Sequence, residues 1–324
     1  MYWLKQQVGR DAAALLGQCV DPTTVLGTAD GVAASSWGLP PTCTVVAGSG
    51  DNCCALAGCL RSALAATALV SLGTSDTVLG SVPWGAVSPD ASVGHFLAHP
   101  LCSDSHAMGM LCIKNGGLVR AEQAQALGQD GQPAWDELSS ICSALAEDCT
   151  ATGGPWDVGL CLPLPEIAPH TAQPSERWWK ASVDASGRLS LHASTRPTLP
   201  SAAAAGTVLG QCLNLVLHSQ RMALCTAGGQ VRVTGGAASN AGLMALLATV
   251  SQCEVWIVPG GGHLGAAYGA AARAAAATGA EWPDTEGWTL SSAPFPGSGA
   301  TMRSLLTALD SELYPCQLTA AHLP

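Results

Sequence analysis

Along the chain, short β-like apolar runs alternate with longer helix-like ones. Cys43-Thr-Val-Val-Ala47 is a buried-strand pattern closed by Gly-Ser-Gly, and residues 53–60 have the small-residue composition of a closely packed helix. Ala68-Leu-Val-Ser-Leu72 and Asp76-Thr-Val-Leu79, separated by Gly-Thr-Ser, predict a hairpin. Residues 99–112 alternate small and apolar side chains and predict a further strand, while 115–128 and 135–145 have helical spacing. Residues 150–200 are rich in Pro, Gly and Trp and predict a surface excursion of short strands turning at Asp184-Ala-Ser-Gly187. There Trp156, Trp178 and Trp179 need something to pack on. A long helix is predicted over 202–224, with Leu209, Cys212, Leu213, Val216 and Leu217 on one stripe. Strand 231–234, helix 240–250, strand 255–258 and helix 264–277 follow, and a last helix, 302–313, comes after a Pro/Gly linker. This β-α-β-α run predicts an α/β fold, a mixed sheet with helices on both faces.

Charge narrows the function. Only 11% of the 324 residues are charged, against about 25% in an average protein, while 48% are hydrophobic, which excludes wholesale disorder. The net charge of −10 and just three lysines, Lys5, Lys114 and Lys180, leave no basic stripe, so no nucleic-acid partner is expected. No uninterrupted apolar run reaches the roughly 18 residues of a membrane span, and the first residues lack the apolar core of a signal peptide. The expectation is a cytoplasmic chain without a membrane partner. Fourteen irregularly spaced cysteines contain no C-x-x-C pair and no zinc spacing, which reads as buried thiols in a reducing compartment and no resident metal site.

Three glycine junctions follow predicted strands. In Ala47-Gly-Ser-Gly-Asp-Asn52 the glycines let a ligand approach and leave Asp51 at a strand end. There it can take a proton from a substrate hydroxyl that Asn52 orients, or it can simply cap the next helix. In Ser71-Leu-Gly-Thr-Ser-Asp76, the N–H groups and two hydroxyls of Gly73, Thr74 and Ser75 suit a phosphate cradle, or an ordinary turn. It lacks the lysine of a Walker loop, so the electrostatics would fall to amides and a metal ion. In Thr234-Gly-Gly-Ala-Ala-Ser-Asn240, Gly235 and Gly236 permit close approach of a flat or anionic ligand and Asn240 offers an amide. A fourth stretch, Pro259-Gly-Gly-Gly-His-Leu-Gly265, also opens a helix, with His263 read as a loop-packing residue. None fits the G-x-G-x-x-G dinucleotide pattern, and no Ser/His/Asp arrangement is apparent.

In order and spacing, Asp51-Asn52, Ser71-Leu-Gly-Thr-Ser-Asp-Thr77, Leu111-Cys-Ile-Lys-Asn-Gly116, Gly235-Gly-Ala-Ala-Ser-Asn240 and Gly265-Ala-Ala-Tyr-Gly269 resemble the C-terminal half of the FGGY carbohydrate kinases, in particular their eukaryotic xylulose-kinase branch. The resemblance runs from about Trp37 to the end and is loosest over 128–200. It implies an actin-like, ribonuclease-H-like ATPase domain and ATP-dependent phosphorylation of D-xylulose to D-xylulose 5-phosphate, with Mg²⁺. It implies Asp51 as the general base, Asn52 as a sugar contact, the phosphates at Gly73, Thr74 and Ser75, and adenine and ribose at Gly235, Gly236 and Asn240. Trp135, in Pro-Ala-Trp-Asp-Glu-Leu, resembles an aromatic that contacts the nucleotide, and also reads as a helix-packing Trp.

The family's N-terminal domain, with its Asp-x-Gly-Thr loop, has no counterpart in the pattern. The expected layout is therefore a tail of that domain over 1–62, the C-terminal kinase domain over 63–290, and a linker and helix over 291–324. Such a partial chain holds one wall of a two-walled cleft. It exposes apolar surface near its start and leaves open a non-catalytic nucleotide-binding module or a kinase of another pentulose. The sugar-phosphorylating reading further requires Asp51 to face the crevice that holds the triphosphate.

Overall fold

A computed structural model describes residues 17, 20–29, 31–60, 67–87, 93–151, 154–184, 188–258, 265–281 and 287–315. The elements in chain order are β1 (Val25–Thr28), α1 (Gly31–Ser36), β2 (Thr44–Val46), α2 (Asp51–Cys59), β3 (Thr67–Leu72), β4 (Asp76–Pro83), β5 (His95–Ala98), β6 (His106–Ile113), α3 (Gly117–Leu127) and α4 (Trp135–Ala151). There follow β7 (Trp156–Leu162), β8 (Ser175–Val183), β9 (Leu189–Ser194), α5 (Pro200–Arg221), β10 (Gln230–Thr234), α6 (Ala241–Ser251), β11 (Glu254–Ile257), α7 (Gly265–Thr278), β12 (Thr289–Ser292) and α8 (Gly299–Leu313).

The central sheet has the order β12-β11-β10-β3-β4-β6-β5. β3, β10 and β11 run parallel, whereas β4, β6, β5 and β12 are antiparallel additions, so the sheet is mixed as expected. Alternation along β3 divides the molecule into two layers. Ala68, Val70 and Leu72 face the main core with Val231, Val233, Val255 and the buried stripes of α4, α5, α6 and α8. Leu69 faces the other way, with Leu79 and Met108, into a smaller core closed by Leu56, Cys59 and Leu60 of α2 and its flank. α7 packs on α2 so closely that a Cβ on Gly269 would collide with the Cys54 carbonyl. Gly265-Ala-Ala-Tyr-Gly269 thus acts, at Gly269, as a helix-packing motif. Arg273 of α7, buried, donates to the Pro22 and Ala47 carbonyls and ties the chain before α2 to this layer.

The excursion forms a three-stranded antiparallel sheet, β7-β8-β9. It lies on α5, where Gly210 meets the Gly159 backbone with no room for a side chain. All three tryptophans are buried, and their indole N–H groups donate to Asp148 (Trp156), Glu176 (Trp178) and Glu312 (Trp179). Asp184 leads the turn and accepts the Arg188 N–H; residues 185–187 lie outside the described residues, as do 259–264 with His263.

Several boundaries differ from the pattern. The strand expected over 99–112 begins only at His106, because the His99 ring accepts the N–H groups of Leu101 and Cys102 and folds them into a turn. α4 runs six residues past the expected end, to Ala151. β1, β5 and β12, four residues each, are short edge pieces that left no periodic trace. α5, at 22 residues, is long and apolar enough to cross a membrane, despite the small and polar residues that interrupt it, yet 72% of its most apolar window is buried inside the molecule. It is the core helix. Met302, Leu305, Leu306 and Leu309 place α8 in the same core, and apolar exposure near the start is seen at Val25, Leu26, Val45 and Trp37, the last 77% exposed.

Candidate functional site

β3 and β10 run side by side, with Thr234 opposite Ser71, so their carboxyl ends open at one place. That is where open α/β sheets bind ligands. After β3 the chain turns back through Gly73, Thr74 and Ser75, the Gly73 N–H donating to the Ser75 carbonyl at 3.1 Å before Leu72 pairs Asp76 across the hairpin. After β10 it turns at Gly235, whose φ of +92° suits glycine; a Cβ there would lie 2.5 Å from the Leu72 carbonyl. The two turns are therefore in backbone contact.

Over them stands a cavity of about 900 Å³, the size of a small-molecule site. Gly73 and Thr74 line it on the hairpin side, Gly236, Ser239 and Asn240 on the β10 side, Gly117 and Arg120 from α3, and Trp135 with Asp136 from the start of α4. Trp135 is 44% exposed, so its ring is a wall rather than core. Asn240 caps α6, its Oδ1 accepting the Leu243 N–H at 2.9 Å, and its Nδ2 has no partner among the described residues. Gly242 presses α6 onto the Ser139 backbone of α4 and donates to the Ser139 hydroxyl, so the α4 and α6 walls hold a fixed spacing. Cys142 lies deeper in the wall; burial pushes its thiol up to about 12, keeping it neutral.

One buried ion pair sits in the floor. Arg120 donates through both terminal nitrogens to the two Asp76 oxygens, each at 2.7 Å, and both residues are almost fully buried. Behind it, the Glu166 carboxylate accepts the backbone N–H groups of Lys114 and Asn115 and the Asn115 amide, and Gln211 donates to the Asn115 and Gly116 carbonyls. The 114–117 loop is thus clamped from below. The sequence pattern singled out neither Arg120 nor Glu166. The usable signal was scarcity: with 11% charged residues, each arginine is a candidate for a built polar contact.

The structure gathers Gly73, Thr74, Trp135, Gly236 and Asn240 around one cavity. Ser75 and Gly235 shape the two turns beside it. Asp51 and Asn52 are elsewhere. They begin α2, in the layer on the opposite face of the sheet, where the Asn52 amide approaches the Met110 sulfur at 3.4 Å. Asp51 is exposed and does not line the cavity, so the expectation that it faces the crevice is not met: the helix it opens packs on the other face of the sheet. Nor is it the helix cap, which is Gly50; its Oδ1 accepts the N–H of the next residue at 2.7 Å. Among the described residues no three His, Cys, Asp or Glu side chains are grouped to hold a metal ion, and the carboxylate beside the hairpin is taken by Arg120.

No family model matches the chain. It is 28% identical over 292 residues to the xylulose kinase of Mus musculus, covering 88% of this chain and 47% of that protein. With D-xylulose kinase A of Aspergillus niger it shares 37% identity over 153 residues, 45% of this chain and 25% of that one. The crystal structure of xylulose kinase from Rhodospirillum rubrum superposes with a TM-score of 0.67 at 18% identity, over 92% of this chain and 56% of that chain. The chain spans about half the length of these relatives at most. The superposition bears out the expected fold. By sequence and by fold, the chain is similar to xylulose kinases.

Proposed function

We propose that the chain carries the nucleotide-binding wall of an ATP-dependent sugar kinase that phosphorylates D-xylulose to D-xylulose 5-phosphate. The observation that carries the reading is the cavity at the carboxyl ends of β3 and β10, where a hairpin of backbone amides, an exposed indole and a glycine turn converge. Phosphates would lie along the 73–75 hairpin and the first turn of α3, whose free N–H groups favour anions. The base would lie against Trp135, between α4 and α6. Mg²⁺ belongs to this proposal as part of MgATP, held by phosphate oxygens and water, since the nearby Asp76 is neutralised by Arg120. Positioning and electrostatics supply most of phosphoryl-transfer catalysis, so a sugar hydroxyl must be brought in line with the γ-phosphate. Asp51 is proposed as the base on the family resemblance alone, since it stands exposed outside the cavity. The free thiols among the described residues support a reducing, cytoplasmic setting.

The test is titration calorimetry with MgATP and MgADP, followed by ADP release with and without D-xylulose. Saturable nucleotide binding and xylulose-dependent release are expected. A chain that binds neither nucleotide overturns the reading, and binding without turnover reduces it to a nucleotide-binding module.

A further inference from the structure

We propose that Arg120 and Asp76 are a positioning pair that sets the 73–75 hairpin for the phosphates of the nucleotide. The inference rests on the nucleotide reading above and names the group that tunes it. Asp76 is the residue at which the hairpin rejoins β4, and Arg120 lies on the first turn of α3 and in the cavity wall. Between them the backbones touch. A Cβ on Gly117 would collide with the Gly73 carbonyl, and one on Gly116 would lie 2.5 Å from the Asp76 carboxyl carbon. No side chain separates helix and hairpin, so their register is left to the planar fork of the guanidinium, which donates to a carboxylate in one orientation.

Charge points the same way. A bare carboxylate one residue past a phosphate cradle would repel the ligand, and Arg120 cancels it without itself being free to bind. A buried ion pair is weak evidence for stability, because desolvating two charges offsets most of their attraction. Holding a geometry is the better account of a pair buried to 5% and 4% side-chain exposure. The clamped 114–117 loop gives that geometry a fixed base: Gln211 and Glu166 hold the loop, and Arg120 passes its position on to the hairpin.

Calorimetry on the full chain with MgADP and with adenosine separates this role from a merely structural one. In Arg120→Lys, which keeps the charge but breaks the fork, MgADP affinity should fall tenfold or more while adenosine affinity holds. The double variant Asp76→Leu/Arg120→Met, which removes both charges together, should keep its melting temperature near the parent's and lose the same phosphate-dependent increment. An unchanged MgADP-to-adenosine ratio in either folded variant overturns the proposal. A parent chain that binds neither ligand sinks the nucleotide reading instead. Should both variants fail to fold, hydrogen exchange on the unaltered chain decides. MgADP, and not adenosine, should slow the amides of 73–76 and 117–120 together; slowing confined to 236–243 overturns the pair's role.

Discussion

Gly235 and Gly236 are neighbours that answer to different demands. Gly235 needs a positive φ and has the Leu72 carbonyl where a Cβ would go, whereas a Cβ on Gly236 would meet open space. Gly235→Ala should therefore destabilise the fold by about 1–3 kcal/mol, read as a lower denaturation midpoint. Gly236→Ala should leave that midpoint in place and weaken MgADP binding by narrowing the cavity. If both variants merely destabilise, the open face of Gly236 has no ligand role. Trp135 gives a second contrast. With its ring 44% exposed, Trp135→Ala should cost little stability but about tenfold in nucleotide affinity, the scale of one aromatic contact. A large loss of stability with unchanged affinity would return it to helix packing, the other sense in which that Trp could be read. Sequence alone saw a glycine pair and an aromatic; which glycine served the backbone depended on a carbonyl more than 160 residues away.

Elements meet through positions where no side chain fits. Gly242 seats α6 against Ser139 of α4, and any Cβ there strikes the Ser139 carbonyl. Gly242→Ala should spread the α4 and α6 walls, lowering both stability, by about 1–3 kcal/mol, and nucleotide affinity; intact affinity would show the spacing to be irrelevant to the site. Elsewhere α5 and α8 are joined by a polar contact. His218, fully buried, donates from Nδ1 to the Asn214 carbonyl at 2.8 Å and accepts the Tyr314 hydroxyl at Nε2, while Arg221 pairs with Asp310 beside it. Burial lowers the His218 pKa from 6.5 to about 4; the hydrogen bond to the Asn214 carbonyl opposes the fall, Arg221 adds to it, and Asp310 and Glu166 oppose it. The unfolded chain takes up that proton below about pH 6.5 and the folded chain only near pH 4. Stability present above 6.5 is thus lost as the pH falls between those values, by roughly 3 kcal/mol at the lower end. His99, depressed to about 4 chiefly by burial with a contribution from His106, adds to the loss in the same direction. Urea unfolding at pH 7 and pH 5 checks it: equal midpoints, or a fall that His218→Gln leaves undiminished, would show that His218 is not the titrating group.

At the scale of the whole molecule, the sheet keeps two kinds of chemistry apart. The cavity belongs to the layer of α3, α4, α5 and α6, while Asp51 starts α2 in the layer behind. Asp51→Asn should accordingly leave MgADP affinity unchanged and remove xylulose-dependent ADP release. Turnover that survives the substitution would discharge Asp51 as the base. The class of the fold was legible in the sequence, because alternating apolar runs and Gly-punctuated helices are local features with local causes. So was the hairpin, written in three turn residues between two strands, and so were five of the residues that line the cavity. Local patterning left undecided which face of the sheet a helix lands on. A period of two says that Leu69 and Val70 point opposite ways, not that α2 covers the first and α5 the second. It left equally open that Arg120 would find Asp76, 44 positions earlier, or that Glu166 would clamp a loop some 50 positions before it. Those contacts exist only once the strands have closed, since a buried charge chooses its partner by proximity in the folded chain and not by spacing along it.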